Sequence, residues 1–186
     1  METLKRVRFV TTHFYSLQGL RYIPVMLVAL IVTLEGRLAL YPPGRLEYRF
    51  LLLLLAYAAT EIISRYYQRT FGAVQSERRT SAIITFLALA AAVVTDVSLQ
   101  APVSLFGLVV AAFWGYHWRQ SHGYRSYYAA LAVISALTAF LPMVIQPVAE
   151  AHFWLMMVLI VTSLGGMILD HLLLVRLLPR QNEEPS

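Results

Sequence analysis

Long apolar runs are the feature that most restricts how this chain can fold. The last of them covers residues 152–178 and meets charged side chains only near its end, at Asp170 and Arg176. A helix needs about 20 apolar residues to cross the hydrocarbon core of a bilayer. Over all 186 residues, 59% are hydrophobic and 13% are charged. Because soluble domains are about a quarter charged, the sequence predicts an all-α integral membrane protein.

Six such runs predict a bundle of six transmembrane helices. The short linkers between them contain prolines, glycines and polar residues, which end helices. We expect residues 1–19 to precede the bundle, residues 20–178 to form it, and residues 179–186 to be a polar cytoplasmic tail. The predicted spans cover residues 20–41, 50–68, 81–99, 102–118, 127–149 and 152–178.

Basic residues are distributed unevenly between the two ends of these spans. One side holds Arg37, Arg45 and Arg49, and the amino-terminal side holds the remaining twelve of the 15 lysines and arginines. The positive-inside rule therefore predicts a multi-pass protein of the cell (inner) membrane with both termini in the cytoplasm. The twelve are Lys5, Arg6, Arg8, Arg21, Arg65, Arg69, Arg78, Arg79, Arg119, Arg125, Arg176 and Arg180.

Composition also excludes several kinds of site and partner. The net charge of +5 could suit nucleic acid, but the arginines flank apolar segments and form no single basic domain, which argues against it. The chain has no cysteine, so disulfides, thiolate nucleophiles, Cys-ligated zinc and Cys-ligated iron–sulfur clusters are excluded. The sequence requires no cofactor, and the expected surroundings are lipid.

The first 19 residues have an amphipathic pattern. Apolar side chains recur at helical spacing and the basic ones lie off that face, which predicts a helix on the inner leaflet. A cleaved signal peptide is the alternative interpretation. The apolar positions are Leu4, Val7, Val10, Phe14 and Leu17.

Ionisable side chains inside a span cost about 2.5–3.5 kcal/mol each on insertion scales, so each needs an explanation. The spans bring one group of polar residues toward the cytoplasmic half of the bundle, where we expect a ligand site. Glu61 and Arg65 are four residues apart, which suits an ion pair on one face of a helix. The pair either binds a ligand, or the two charges only neutralise each other at the membrane interface. The candidate ligand-binding residues are Tyr57, Glu61, Arg65, His117, Asp170 and His171.

Asp170 and His171 point about 100° apart on a helix, so they cannot form one side-by-side site. Asp170 shares a face with Gly166, and the pair Gly165–Gly166 predicts close approach of a neighbouring helix. We therefore expect Asp170 to face the bundle and His171 to lie in the headgroup layer.

Three acids are candidates for proton or ion coupling, namely Glu61, Asp96 and Asp170. Asp96 follows a face of small residues, so helix packing is its simpler explanation. Glu150 and His152 are expected in a loop, and His117 among the aromatic residues of the membrane interface.

The first functional hypothesis is transport of a small ligand or ion, by a carrier or a transporter subunit. Six spans, cytoplasmic termini and 186 residues resemble the substrate-binding subunits of vitamin-type energy-coupling transporters. That resemblance implies a docking partner, although the first span here lacks the small-residue face that such subunits use. The alternative is a sensor or regulatory subunit that acts on a protein partner through the basic cytoplasmic loops. Both hypotheses leave open whether the protein forms a homo-oligomer.

Two further hypotheses remain open. The segments TEIISR (60–65) and FWGYH (113–117) resemble motifs of membrane-embedded CAAX-type prenyl proteases. That resemblance implies an intramembrane enzyme, but Thr60 stands where that family has the glutamate expected to activate water. A b-type haem held by His117 and His171 is the other hypothesis.

Overall fold

The computed structural model describes residues 9–11, 13–14, 17–38, 46–71, 79–99, 101–121 and 124–178. Within these ranges the chain is helical and has no β-strand, so the all-α class is confirmed. A 3₁₀ turn at Gly19–Tyr22 leads into α1. The helices are α1 (Ile23–Leu38), α2 (Leu46–Phe71), α3 (Arg79–Leu99), α4 (Leu105–Gln120), α5 (Tyr127–Thr138), the single turn α6 (Leu141–Val144) and α7 (Val148–Leu177).

In the part of the chain that the structure describes, three helical segments are long and apolar enough to cross a membrane: Glu47–Phe71 in α2, Tyr127–Val144 across α5 and α6, and Val148–Leu177 in α7. The structure therefore supports a membrane protein with transmembrane helices. The predicted count of six is not confirmed. The helices α1 and α4 have 16 residues each, about 24 Å, which is short of a hydrocarbon core of about 30 Å.

The boundary between the last two predicted spans is corrected. Glu150 and His152 are not loop residues, because α7 already begins at Val148. The backbone N–H groups of Glu150 and Ala151 donate to the Pro147 carbonyl. Proline suits the start of a helix, where its missing N–H is not needed, and the Glu150 carboxylate is favourable in a first turn.

The chain forms two compact units. The first unit comprises Met1–Ser76 and Leu164–Ser186, and the second comprises Glu77–Ser163. In the first unit α1 packs on α2, and the 3₁₀ turn contacts both. In the second unit α4 packs on α3 and runs antiparallel to α5, because Gly107 meets Ala139 while Trp114 meets Tyr128.

The amino-terminal segment differs from the expected surface helix. Residues 9–11, 13, 14 and 17 are helical, and Phe9, Val10, Phe14 and Leu17 are between 0 and 6% exposed. The apolar face that the sequence pattern identified is therefore buried in the protein and is not presented to a leaflet. Leu4 and Val7 lie outside the described residues.

Candidate functional site

A partly buried polar cluster lies where α2 and α7 come together in the first unit. The Tyr67 hydroxyl is 2.8 Å from His171 Nδ1, and the two rings meet edge to face at 5.7 Å. Asp170 interacts electrostatically with Tyr67. Tyr67 is 0% and Asp170 4% exposed. We call Tyr67, Asp170 and His171 the Tyr67 cluster.

The 3₁₀ turn before α1 completes this cluster. A Cβ added to Gly19 would overlap the Met167 carbonyl oxygen, so the turn rests directly on the backbone of α7. Only glycine allows such a close approach. The next residue, Leu20, hydrogen-bonds through its backbone to Tyr67. Because Gly19 has no side chain, the turn lies close enough for a backbone group of Leu20 to reach the buried Tyr67 hydroxyl.

The cluster combines three groups that can exchange protons or hold a small polar ligand. A phenol both donates and accepts, a carboxylate accepts, and an imidazole does either according to its tautomer. When the Tyr67 hydroxyl donates to Nδ1, the neutral His171 ring carries its proton on Nε2. Buried polar groups are costly unless they are partnered, so a cluster of this kind needs either mutual hydrogen bonds or a ligand.

His171 turns toward Tyr67 and is half-buried, and its expected depth in the headgroup layer stays a prediction. The glycine expectation fails at Gly165, whereas Gly166 is buried. Nothing lies within 4 Å of a Cβ added to Gly165, so no helix approaches closely at that residue. The close approach occurs at Gly19, against Met167. Asp170 is buried, as expected from the face that it shares with Gly166.

Glu61, Arg65 and Tyr57 do not join the Tyr67 cluster. Arg65 Nε is 3.5 Å from Glu61 Oε1, and the two side chains are 68% and 48% exposed. Tyr57 is 71% exposed. The three lie on a face of α2 different from that of Tyr67, because a helix turns about 100° per residue. Within the described part of the first unit these three side chains are exposed, and a ligand site around them stays a prediction.

Asp96, in the second unit, has a full set of structural partners. Its carboxylate accepts hydrogen bonds from Ser104 Oγ at 2.5 Å, from the Leu105 N–H at 2.7 Å and from the Phe106 N–H at 3.0 Å. Ser104 Oγ in turn accepts from the Gly107 N–H. Asp96 thus caps the start of α4, where a negative charge is favourable, and this accounts for a buried acid without any ion to carry.

His117 belongs to an aromatic group at the end of α4. Its ring centroid is 4.4 Å from that of Phe113 and 6.2 Å from that of Tyr128. Tyr128 also packs against Trp114. Its ring lies 5.0 Å from the guanidinium of Arg125, which is 0% exposed. The structure thus gives His117 a packing role in the second unit.

Among the described residues, no group of three or more His, Asp or Glu side chains could hold a metal ion. The two histidines proposed for haem belong to different units, His117 to the second and His171 to the first. Comparison of the chain with protein-family models, curated proteins and solved structures finds no match. The site therefore has to be interpreted from its own chemistry.

Sequence analysis missed the central residue of the cluster. Tyr67 stands near the end of a span beside Tyr66 and Arg69, where aromatic side chains normally mark the interface. One signal was present: Tyr67 follows Ser64 by three residues, and Ser64 is also buried. Two polar side chains on one face of an apolar helix indicate a polar contact inside the protein. Arg125 was also missed, because it was counted only as a cytoplasmic charge.

Proposed function

We propose that this chain is a multi-pass protein of the cell (inner) membrane that binds a small ligand or ion at the Tyr67 cluster, in the service of transport. One observation carries the proposal: Asp170 is buried beside a phenol–imidazole hydrogen bond, at the meeting point of two helices long enough to span a membrane. Buried ionisable groups inside spans mark pathways for ions, protons or substrates.

The cytoplasmic position of the site is supported by charge. The cluster lies toward the ends of α2 and α7 that carry Arg69 and Arg176. Basic residues collect on the cytoplasmic side, which favours cytoplasmic termini and an even number of spans. Six spans require α1, α3 and α4 to cross as well, and the short α1 and α4 would cross only where the bilayer is locally thinner.

The transport proposal is tested by native mass spectrometry of the protein extracted gently from its own membrane. We expect a small extra mass on the wild-type chain and its loss in Asp170→Asn, which keeps the shape of the side chain and removes its charge. Glu61→Gln is the matched control, and we expect it to retain the mass because Glu61 lies outside the cluster. A mass that survives Asp170→Asn and disappears in Glu61→Gln would instead favour the α2 pair.

A sensor or regulatory subunit is the second candidate, and one contact favours it. Gly19 and Leu20 contact α7 and Tyr67 and directly follow the buried amino-terminal segment. A ligand bound at Tyr67 would therefore change the contacts that hold this segment in place. Uptake assays in proteoliposomes distinguish the two functions. Transport predicts ligand flux by the purified chain, whereas sensing predicts ligand binding without flux and a protein partner that co-purifies.

A further inference from the structure

The exposed face of α2 carries polar residues at a depth where lipid is expected. Arg49 and Arg69 are 20 residues apart, about 30 Å along a helix, which matches the hydrocarbon thickness of a bilayer. Glu61 precedes Arg69 by eight residues, which places it about 12 Å inside that limit. A carboxylate at this depth is costly when it faces lipid, so another surface is needed to cover it.

The surface of α2 that needs to be covered is a regular stripe of exposed residues along the helix. Six exposed residues recur at alternating intervals of three and four, which is the spacing of a helix–helix seam. Leu51 and Leu54 are 53% and 50% exposed, and Ala58 leaves room for close approach. We call these residues the α2 stripe: Leu51, Leu54, Ala58, Glu61, Arg65 and Gln68.

We propose that a second copy of this chain docks on the α2 stripe and forms a parallel homodimer. In a parallel pair of helices, the layer that contains Arg65 adjoins the layer that contains Glu61 of the other copy. Long side chains lean toward the amino-terminal end of their helix, so each Arg65 reaches toward both acids.

Two ion pairs within single helices then become one ring of four alternating charges. Symmetry favours a second copy over a different protein. A two-fold axis along the membrane normal brings the same patch from both chains together. Like residues share a layer in this arrangement, and each Arg65 lies one layer from the Glu61 of both copies, so opposite charges pair between adjacent layers. This inference is independent of the ligand site, because the stripe and the Tyr67 cluster occupy different faces of α2.

Cysteine cross-linking tests the dimer directly, since the natural chain has no cysteine to interfere. We expect Ala58→Cys to form a disulfide-linked dimer when native membranes are treated with a mild oxidant. The matched control is Leu53→Cys, which is also on an exposed residue (54%) but points about 140° away. It should remain monomeric. A monomeric Ala58→Cys chain, equal cross-linking of both variants, or a disulfide to another protein would overturn the proposal.

Exchanging the charges tests whether the two stripes recognise each other. With Ala58→Cys as the reporter, Arg65→Glu should weaken dimerisation about tenfold, corresponding to about 1.4 kcal/mol. The double exchange Glu61→Arg/Arg65→Glu should restore it. Failure of the double exchange to restore cross-linking would contradict charge recognition between copies.

Discussion

Asp96 and Asp170 are equally buried acids in apolar helices, each 4% exposed, yet their surroundings differ. Asp96 accepts three hydrogen bonds from groups at the start of α4, and two of these are backbone donors that the helix itself leaves unsatisfied. Asp170 lies near the side chain of Tyr67, whose hydroxyl is hydrogen-bonded to His171 Nδ1. Burial alone therefore does not identify a functional acid; the partners decide whether it completes the fold or serves a ligand.

Removal of the Asp96 carboxylate should have the largest effect on stability. Asp96→Ala leaves the Ser104 hydroxyl and the first N–H groups of α4 without their acceptor, and we expect a loss of about 3 kcal/mol in the free energy of unfolding. Asp170→Asn is the matched variant and should lose less than about 1 kcal/mol, because the amide keeps an acceptor oxygen. Unfolding by denaturing detergent in mixed micelles measures both. Equal losses would abolish the distinction between the two acids.

Adding one carbon atom to Gly19 should have the next largest effect. Gly19→Ala forces the 3₁₀ turn away from the Met167 carbonyl, and we expect a loss of about 2 kcal/mol together with weaker ligand binding. Gly165→Ala provides the control, because its added Cβ meets nothing within 4 Å. That change should be neutral or stabilise by up to about 1 kcal/mol, since alanine favours helix over glycine. If the two variants behaved alike, the turn would not rest on α7.

The smallest effect is expected from Tyr67→Phe. This change removes one hydroxyl, and with it the hydrogen bond to His171 Nδ1, at an expected cost of about 1 kcal/mol. Tyr66→Phe is the matched control, since the Tyr66 ring is 41% exposed. The His171 ring resonances observed by NMR should move in Tyr67→Phe and stay in place in Tyr66→Phe. Unchanged resonances in both variants would show that the phenol and the imidazole are not in contact.

The hydropathy of the sequence was sufficient to predict the fold class and which face of a helix is buried. The apolar runs predict an all-α membrane protein, and the face shared with Gly166 predicts that Asp170 is inward. The partners of the polar residues could not be predicted, because they come from distant parts of the chain. Asp96 finds its donors only when the turn at Ser104 brings α4 back, and Tyr67 meets His171 across 104 positions.

The glycines show the same limit. Gly165 was expected to be a place of close approach, but a sequence shows only which residues lack a side chain. It does not show which of them another backbone reaches. In the structure Gly19 is in direct contact with the backbone of α7, and an added Cβ at Gly165 would have open space. The start of α7 was also misplaced, since the helix begins at Val148, directly after Pro147, although the polar residues Glu150 and His152 had suggested a loop.

The first unit has a consequence for biosynthesis, because it is assembled from both ends of the sequence, Met1–Ser76 and Leu164–Ser186. Early helices leave the ribosome long before α7 does, so Gly19 has no Met167 to rest on, and Tyr67 no imidazole to bond, during most of translation. The site can therefore form only once α7 has been inserted. A ribosome stalled before residue 164 would carry Tyr67 without Asp170 and His171, two of the three residues of the Tyr67 cluster.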